Sequence, residues 1–131
     1  MEKLAWDPRF SVGVKEMDNQ HQRWFALTNA IQRCVTQGAE ESELRKVLNE
    51  LAEFTRTHFK QEESLMDSHG YPGAESHKGN HRQFLDYLER AMESLSNQED
   101  TERLAEMLRS WINTHVLILD KGYGSYIRKK R

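Results

Sequence analysis

Residues 41–68 read ESELRKVLNELAEFTRTHFKQEESLMDS, and one helical face through them would carry Leu44, Leu48, Leu51, Thr55, His58, Glu62 and Leu65. Spacings of three and four are those of a 3.6-residue turn, so the segment predicts an amphipathic helix, ended by Gly70. The leucine stripe runs into His58 and Glu62, which the same phase turns inward. A carboxylate carried into a core costs several kcal/mol unless cations or hydrogen-bond donors meet it. The helix therefore asks what the rest of the chain brings to Glu62.

Three further segments share its pattern. One opens near Asp18, a good N-cap, runs to about Gln37, and aligns His21, Phe25, Thr28, Ile31 and Val35. Another, about 74–96, aligns His77, His81, Phe84, Leu88, Ala91 and Leu95, and the last, about 101–120, aligns Leu104, Leu108, Trp111, His115 and Ile118. Breakers fall between them, at Gly38, in Gly70-Tyr71-Pro72-Gly73, and in the polar stretch 96–100. Long helices with short connections pack as antiparallel neighbours, so the expected fold is an all-α, up-down-up-down four-helix bundle. Residues 1–17 read as an N-terminal arm that packs Trp6, Phe10 and Val12 outside the bundle or over one end. The 131 residues are expected to form one domain.

Composition narrows the function by exclusion. A net charge of -2, from 21 acidic and 19 basic side chains, makes no field of one sign, so neither nucleic acid nor a membrane surface is the expected partner. The basic tail 128–131 reads as a solvated end. Cys34 is the only cysteine, which excludes an internal disulfide and a cysteine-built metal site and points to a reducing cytoplasm. The start lacks a secretion signal, and the aliphatic run Val116 to Leu119 is too short to span a bilayer.

Five of the six histidines, His21, His58, His77, His81 and His115, lie on the inward stripes, with Glu62 and Asp120 near them. One buried histidine is usually a hydrogen-bonded core residue; five imidazoles and two carboxylates need partners together, and metal coordination supplies them at once. His58 with Glu62, and His77 with His81, are four apart and can chelate from one helix. His115 and Asp120 are five apart, about 140° around a regular helix. Either Asp120 reaches around from the end of the last helix, or the backbone there widens into a π-type turn. Imidazole nitrogen and carboxylate oxygen without thiolate select iron, manganese or zinc over copper(I), calcium or magnesium. Seven ligands exceed the needs of one ion. If both carboxylates and a solvent hydroxide bridge two ions, three histidines complete six ligands at one and two complete five at the other. The open position, in a core walled by Phe25, Phe59, Trp111 and Leu117, suits a small apolar gas such as dioxygen.

These residues resemble the hemerythrins, specifically bacterial single-domain members, over nearly the whole chain. The likeness rests on Ser11-Val12-Gly13-Val14, Asp18-Asn19-Gln20-His21, His58-Phe59-Lys60-Gln61-Glu62-Glu63 with Met66, Gly70-Tyr71-Pro72, His77-Lys78-Gly79-Asn80-His81, and Trp111-Ile112-Asn113-Thr114-His115 with Asp120 and Tyr123. The resemblance implies two non-haem iron ions: His77, His81 and His115 at a six-coordinate ion, His21 and His58 at a five-coordinate one, and Glu62, Asp120 and an oxide or hydroxide bridging. It implies reversible dioxygen binding for storage, delivery or buffering and no catalytic residues. The alternative is a di-iron enzyme or sensor acting on dioxygen, peroxide or nitric oxide, with weak oxidase, peroxidase or nitric oxide reductase activity. No protein partner is indicated.

Other residues read more plainly. His69 matches no ligand position and is expected in an exposed loop. Glu63, about 100° around the helix from Glu62, faces solvent or supports a ligand from behind. Trp111 and Tyr123 either wall the pocket or pack the core. Met66, Met92 and Met107 are core filler. Val116 and Leu117, next to a ligand position, are placed to tune access to the gas site.

Overall fold

The computed structural model describes residues 3–130 and is helical almost throughout. A 3-10 turn at Pro8–Phe10 precedes α1 (Lys15–Thr36), α2 (Glu41–Ser68), α3 (Ala74–Ser94) and α4 (Gln98–His115). A π-helical turn at Val116–Asp120 then leads without a break into α5 (Lys121–Lys130). Met1 and Glu2 at the start of the arm, and Arg131 of the basic tail, lie outside the described residues. Residues 37–40, 69–73 and 95–97 make the short connections, with α1 packed on α2 and α4, and α2 on α3. This is an antiparallel up-down-up-down four-helix bundle. Among the described residues no helix is long and apolar enough to cross a membrane.

Local chemistry sets the ends. Gly70 closes α2 with φ 63°, a left-handed conformation that costs glycine nothing, and the Tyr71 N–H donates back to the Met66 carbonyl at 3.0 Å. Asn97 caps α4 by accepting the Asp100 N–H at 2.8 Å. Helix α1 starts at Lys15, ahead of Asp18, so Asp18 is not its N-cap. The Asp18 carboxylate instead accepts the Val12 N–H at 2.8 Å and the Ser11 hydroxyl at 2.6 Å, tying the arm to the first turn.

The arm is part of the core. Asn29 clamps Leu4 by exchanging two 2.8 Å hydrogen bonds with its backbone, and Phe10 meets Phe25 edge-on at 4.9 Å. Phe10 and Val12 are fully buried and Trp6 is half-buried against them. The arm crosses Gly124 so closely that a Cβ there would meet the Val12 carbonyl oxygen at 2.1 Å, which leaves room for glycine alone.

Two apolar clusters result. The larger gathers Leu4, Phe10, Trp24, Leu48, Phe59, Phe84, Leu108 and Ile112 with their neighbours; the smaller holds Val12, Val14, Met17, Met66, Ala74, Tyr123 and Ile127. On α1, α2 and α3 polar stripe residues fall between the two. In α1 the order is Met17, His21, Trp24; in α2 it is Phe59, Glu62, Met66; in α3 it is Ala74, His77, His81, Phe84. The bundle therefore encloses one polar layer sealed by apolar packing on both sides.

The last stripe differs from its sequence reading. Ile112, at 0% exposed, takes the inward place next to Leu108, and Trp111 is half-buried beside it. Ile118, expected inside, is 64% exposed. The π-helical turn accounts for Ile118, because it fits one extra residue into the turn between His115 and Asp120 and pushes Ile118 outward.

Candidate metal centre

All seven residues singled out by the sequence meet in the polar layer, none more than 3% exposed. They form two overlapping groups: Glu62, His77, His81, His115 and Asp120 in one, and His21, His58, Glu62 and Asp120 in the other. The shared carboxylates divide their oxygens between the groups. Glu62 turns Oε1 to His77 at 3.1 Å and His81 at 3.0 Å, and Oε2 to His21 at 3.3 Å and His58 at 3.4 Å. Asp120 does likewise, with Oδ1 3.0 Å from both His77 and His115, and Oδ2 3.1 Å from His21. The π-helical turn makes this possible, since a five-residue step now brings Asp120 under His115.

The outward ring nitrogens fix which inward nitrogens are free. His58 Nδ1 donates to Gln20 Oε1 at 2.7 Å, His81 Nδ1 to Glu63 Oε2 at 2.7 Å, and His115 Nδ1 to Asn80 Oδ1 at 2.8 Å. A neutral imidazole has one N–H, so these rings present bare lone pairs at Nε2. Yet His81 Nε2 lies 3.2 Å from His115 Nε2, which lies 3.1 Å from His77 Nε2. Lone pairs at that distance repel unless a cation stands between them.

The donor set fits such a cation. Both Asp120 oxygens and His58 Nε2 are buried without a hydrogen-bond partner among the described residues. Donors about 2.1 Å from one ion and at right angles around it stand about 3.0 Å apart, close to the 3.0–3.4 Å between most facing nitrogens and oxygens here. An ordinary core network would leave the buried Asp120 carboxylate short of donors, at several kcal/mol.

Protons register the same demand for positive charge. Burial opposes charge on His21, but Asp120 and Glu62 outweigh it and raise its pKa to about 10; the same contest raises His77 to about 9 and moves His115 upward. His58 goes the other way, because burial dominates over Glu62. Despite burial, the surrounding imidazoles hold Glu62 and Asp120 well below the usual carboxylate range. Metal entry would displace those protons.

Aromatic rings hold the imidazoles in place. His81 stacks on Phe59 at 3.7 Å and His115 on Trp111 at 4.4 Å. Trp24, rather than the expected Phe25, reaches the other pair, 5.1 Å from His58 and 6.2 Å from His21. Its indole N–H donates to Thr55 Oγ1 at 3.0 Å. Tyr123 is fully buried and donates its hydroxyl to Glu62 Oε2 at 3.1 Å, so it both packs and supports the site. Burial, reinforced by Glu62 and Asp120, pushes that hydroxyl well above its ordinary pKa.

His69 stands apart, half-buried at the end of α2 with Nδ1 3.0 Å from the Leu65 carbonyl oxygen. Gln20 and Asn80 were not singled out from the sequence. Their signal was positional: each precedes a candidate ligand by one residue and reaches a histidine on another helix.

The chain matches the Hemerythrin HHE cation binding domain over residues 12–127. It is 30% identical to a bacteriohemerythrin of Pseudomonas paraeruginosa, covering 98% of this chain and 84% of that protein. A bacteriohemerythrin of Clostridium acetobutylicum is 27% identical, over 92% and 98%. Among solved structures, a crystal structure of wild-type hemerythrin superimposes with a TM-score of 0.82 at 27% identity, covering 93% of this chain and 95% of that one.

Proposed function

This chain belongs to the hemerythrin family, and from that premise we propose that it binds dioxygen reversibly at two non-haem iron ions. His77, His81 and His115 would hold one ion, His21 and His58 the other, with Glu62, Asp120 and a solvent-derived oxide or hydroxide between them. The observation that carries the reading is the division of each carboxylate, one oxygen to the three-imidazole group and one to the two-imidazole group. A single ion would not call for that arrangement.

When bound, the iron pair would lend two electrons to dioxygen and take them back. The chain's residues set the conditions for that exchange. Trp24 spends its one polar group on Thr55 and so offers the two-imidazole half an apolar face that keeps water out. Tyr123 holds Glu62 Oε2 from the smaller cluster and, with its proton made harder to release, acts as a donor rather than an acid. Phe59 and Trp111 fix the planes of His81 and His115. Five neutral imidazoles favour mild, reversible chemistry, whereas carboxylate-rich di-iron sites stabilise the high-valent states needed to oxidise a substrate. The role that follows is storage, delivery or buffering of dioxygen rather than turnover.

Metal analysis with an absorption spectrum of the anaerobically reduced protein tests the reading. It expects two irons per chain and a charge-transfer band that appears in air and fades on degassing. One ion per chain, or steady consumption of oxidant without reversal, would overturn it.

A further inference from the structure

Of the five ring nitrogens that point away from the centre, those of His58, His81 and His115 meet acceptors, and these acceptors are not equivalent. His58 and His115 donate to the amide oxygens of Gln20 and Asn80, while His81 donates to a carboxylate oxygen of Glu63 at 2.7 Å. Glu63 is partly buried, with 28% of its side chain exposed, and the His81 ring it holds is pinned by Phe59 at an interplanar angle of 2°. A carboxylate behind a ligating imidazole draws the Nδ1 proton toward itself and makes Nε2 a stronger donor; an amide does so much less. Among the described residues, this is the one place where the polar layer sets a carboxylate behind an imidazole rather than across the centre from it.

We infer that Glu63 is a positioning residue that makes the three-imidazole half the tighter and more electron-rich of the two, favouring ferric iron there. This rests on the metal-binding reading above. The role belongs to the hydrogen bond through His81 and not to negative charge in general, because Asp67 lies one turn further along α2 and bonds Lys78 at 2.8 Å instead.

Three variants separate these causes. Glu63→Gln keeps an oxygen acceptor beside His81 and removes only the charge. Asp67→Asn removes a charge one turn away, and Gln20→Glu gives His58 the carboxylate it lacks. Zinc affinity by competition with a chromophoric chelator, and the midpoint potentials of the iron-loaded protein, are read for each. Glu63→Gln is expected to weaken one of two zinc sites by about ten-fold or more and to raise the higher-affinity site's iron potential. Asp67→Asn should do neither, and Gln20→Glu should tighten the weaker site and lower its potential. Wild-type zinc uptake with an unchanged Glu63→Gln overturns the inference alone, as does an equal shift in Asp67→Asn. A wild-type chain that takes up no metal removes the reading it rests on and the inference with it.

Discussion

The two halves of the centre share both carboxylates and differ in nearly everything else. The half built from α3 and α4 has three imidazoles, two of them stacked on aromatic rings and two held from behind by Glu63 and Asn80. The half built from α1 and α2 has two imidazoles, looser aromatic neighbours, and one amide behind His58. It also borders a surface cavity through His58. A cavity of about 210 Å³ lined by Gln20, Phe54, Thr57, His58 and Gln61 opens beside it, bridged by a hydrogen bond between the two glutamine amides. On the proposed reading, one half would hold its ion with three imidazoles and the other would leave room at its ion.

The harshest test removes what the halves share. Glu62→Ala takes one carboxylate oxygen from each group and leaves five imidazoles facing a single acid. The expected result is loss of both ions, from about two per chain to near none, because neither half keeps enough anionic charge to offset the desolvation of a cation. Retention of one ion would show that the halves are independent and that the bridging assignment is wrong.

Removing one imidazole from each half should then expose their inequality. His58→Ala leaves its half with one imidazole, and metal content should fall to about one ion per chain. His115→Ala leaves its half with two, the number that suffices on the other side, so two ions should remain with weaker binding. Metal analysis after dialysis against a mild chelator distinguishes them. Equal losses in both variants would mean that the asymmetry in ligand number has no energetic consequence.

The two halves were not equally legible in the sequence. His58 with Glu62, and His77 with His81, announce themselves by a four-residue step on a regular helix, and their stripes fix the bundle as well. The pairing of His115 with Asp120 depends on a π-helical turn, and residue identities alone leave that turn and a frayed helix end equally open. The same blindness put Ile118 inside. The arm was misjudged in degree, since Phe10 and Val12 are buried by contacts with α1 and α5 that no local pattern reveals. The residues behind the imidazoles lie off the apolar stripes, where periodicity carries no information and only the facing helix decides their use. The phase of Glu63 on its own helix left solvent and support of a ligand both open, and its partner His81, on α3, decides for support.

The π-helical turn invites a milder perturbation of the three-imidazole half. Excision of Ile118 would shorten the His115-to-Asp120 step to four residues, the spacing that aligns side chains on a regular α-helix. Residues after Asp120 keep their phase relative to it, so Tyr123 and Ile127 should still reach the smaller cluster. Both ions are expected to remain, with a modest change in melting temperature. Loss of the three-imidazole ion alone would show that the turn sets a ligand distance that a plain helix cannot.

The smallest effect should come from Tyr123→Phe, and it bears on the looser half. The hydroxyl donates to Glu62 Oε2, the oxygen turned toward His21 and His58, and not to Oε1 on the other side. Phenylalanine fills the same apolar space among Val12, Met17, Met66 and Ile127, so packing is little disturbed. What is lost is one hydrogen bond to a buried carboxylate, and because a metal ion neutralises that oxygen as well, the net cost is about 1 kcal/mol, or roughly five-fold in dissociation constant. The loss should fall on the two-imidazole ion alone, as a faster exit of one ion of the pair into chelator. Equal acceleration of both exits would mean that the oxygens of Glu62 do not act separately, and the contrast between the halves would then rest on the histidines only.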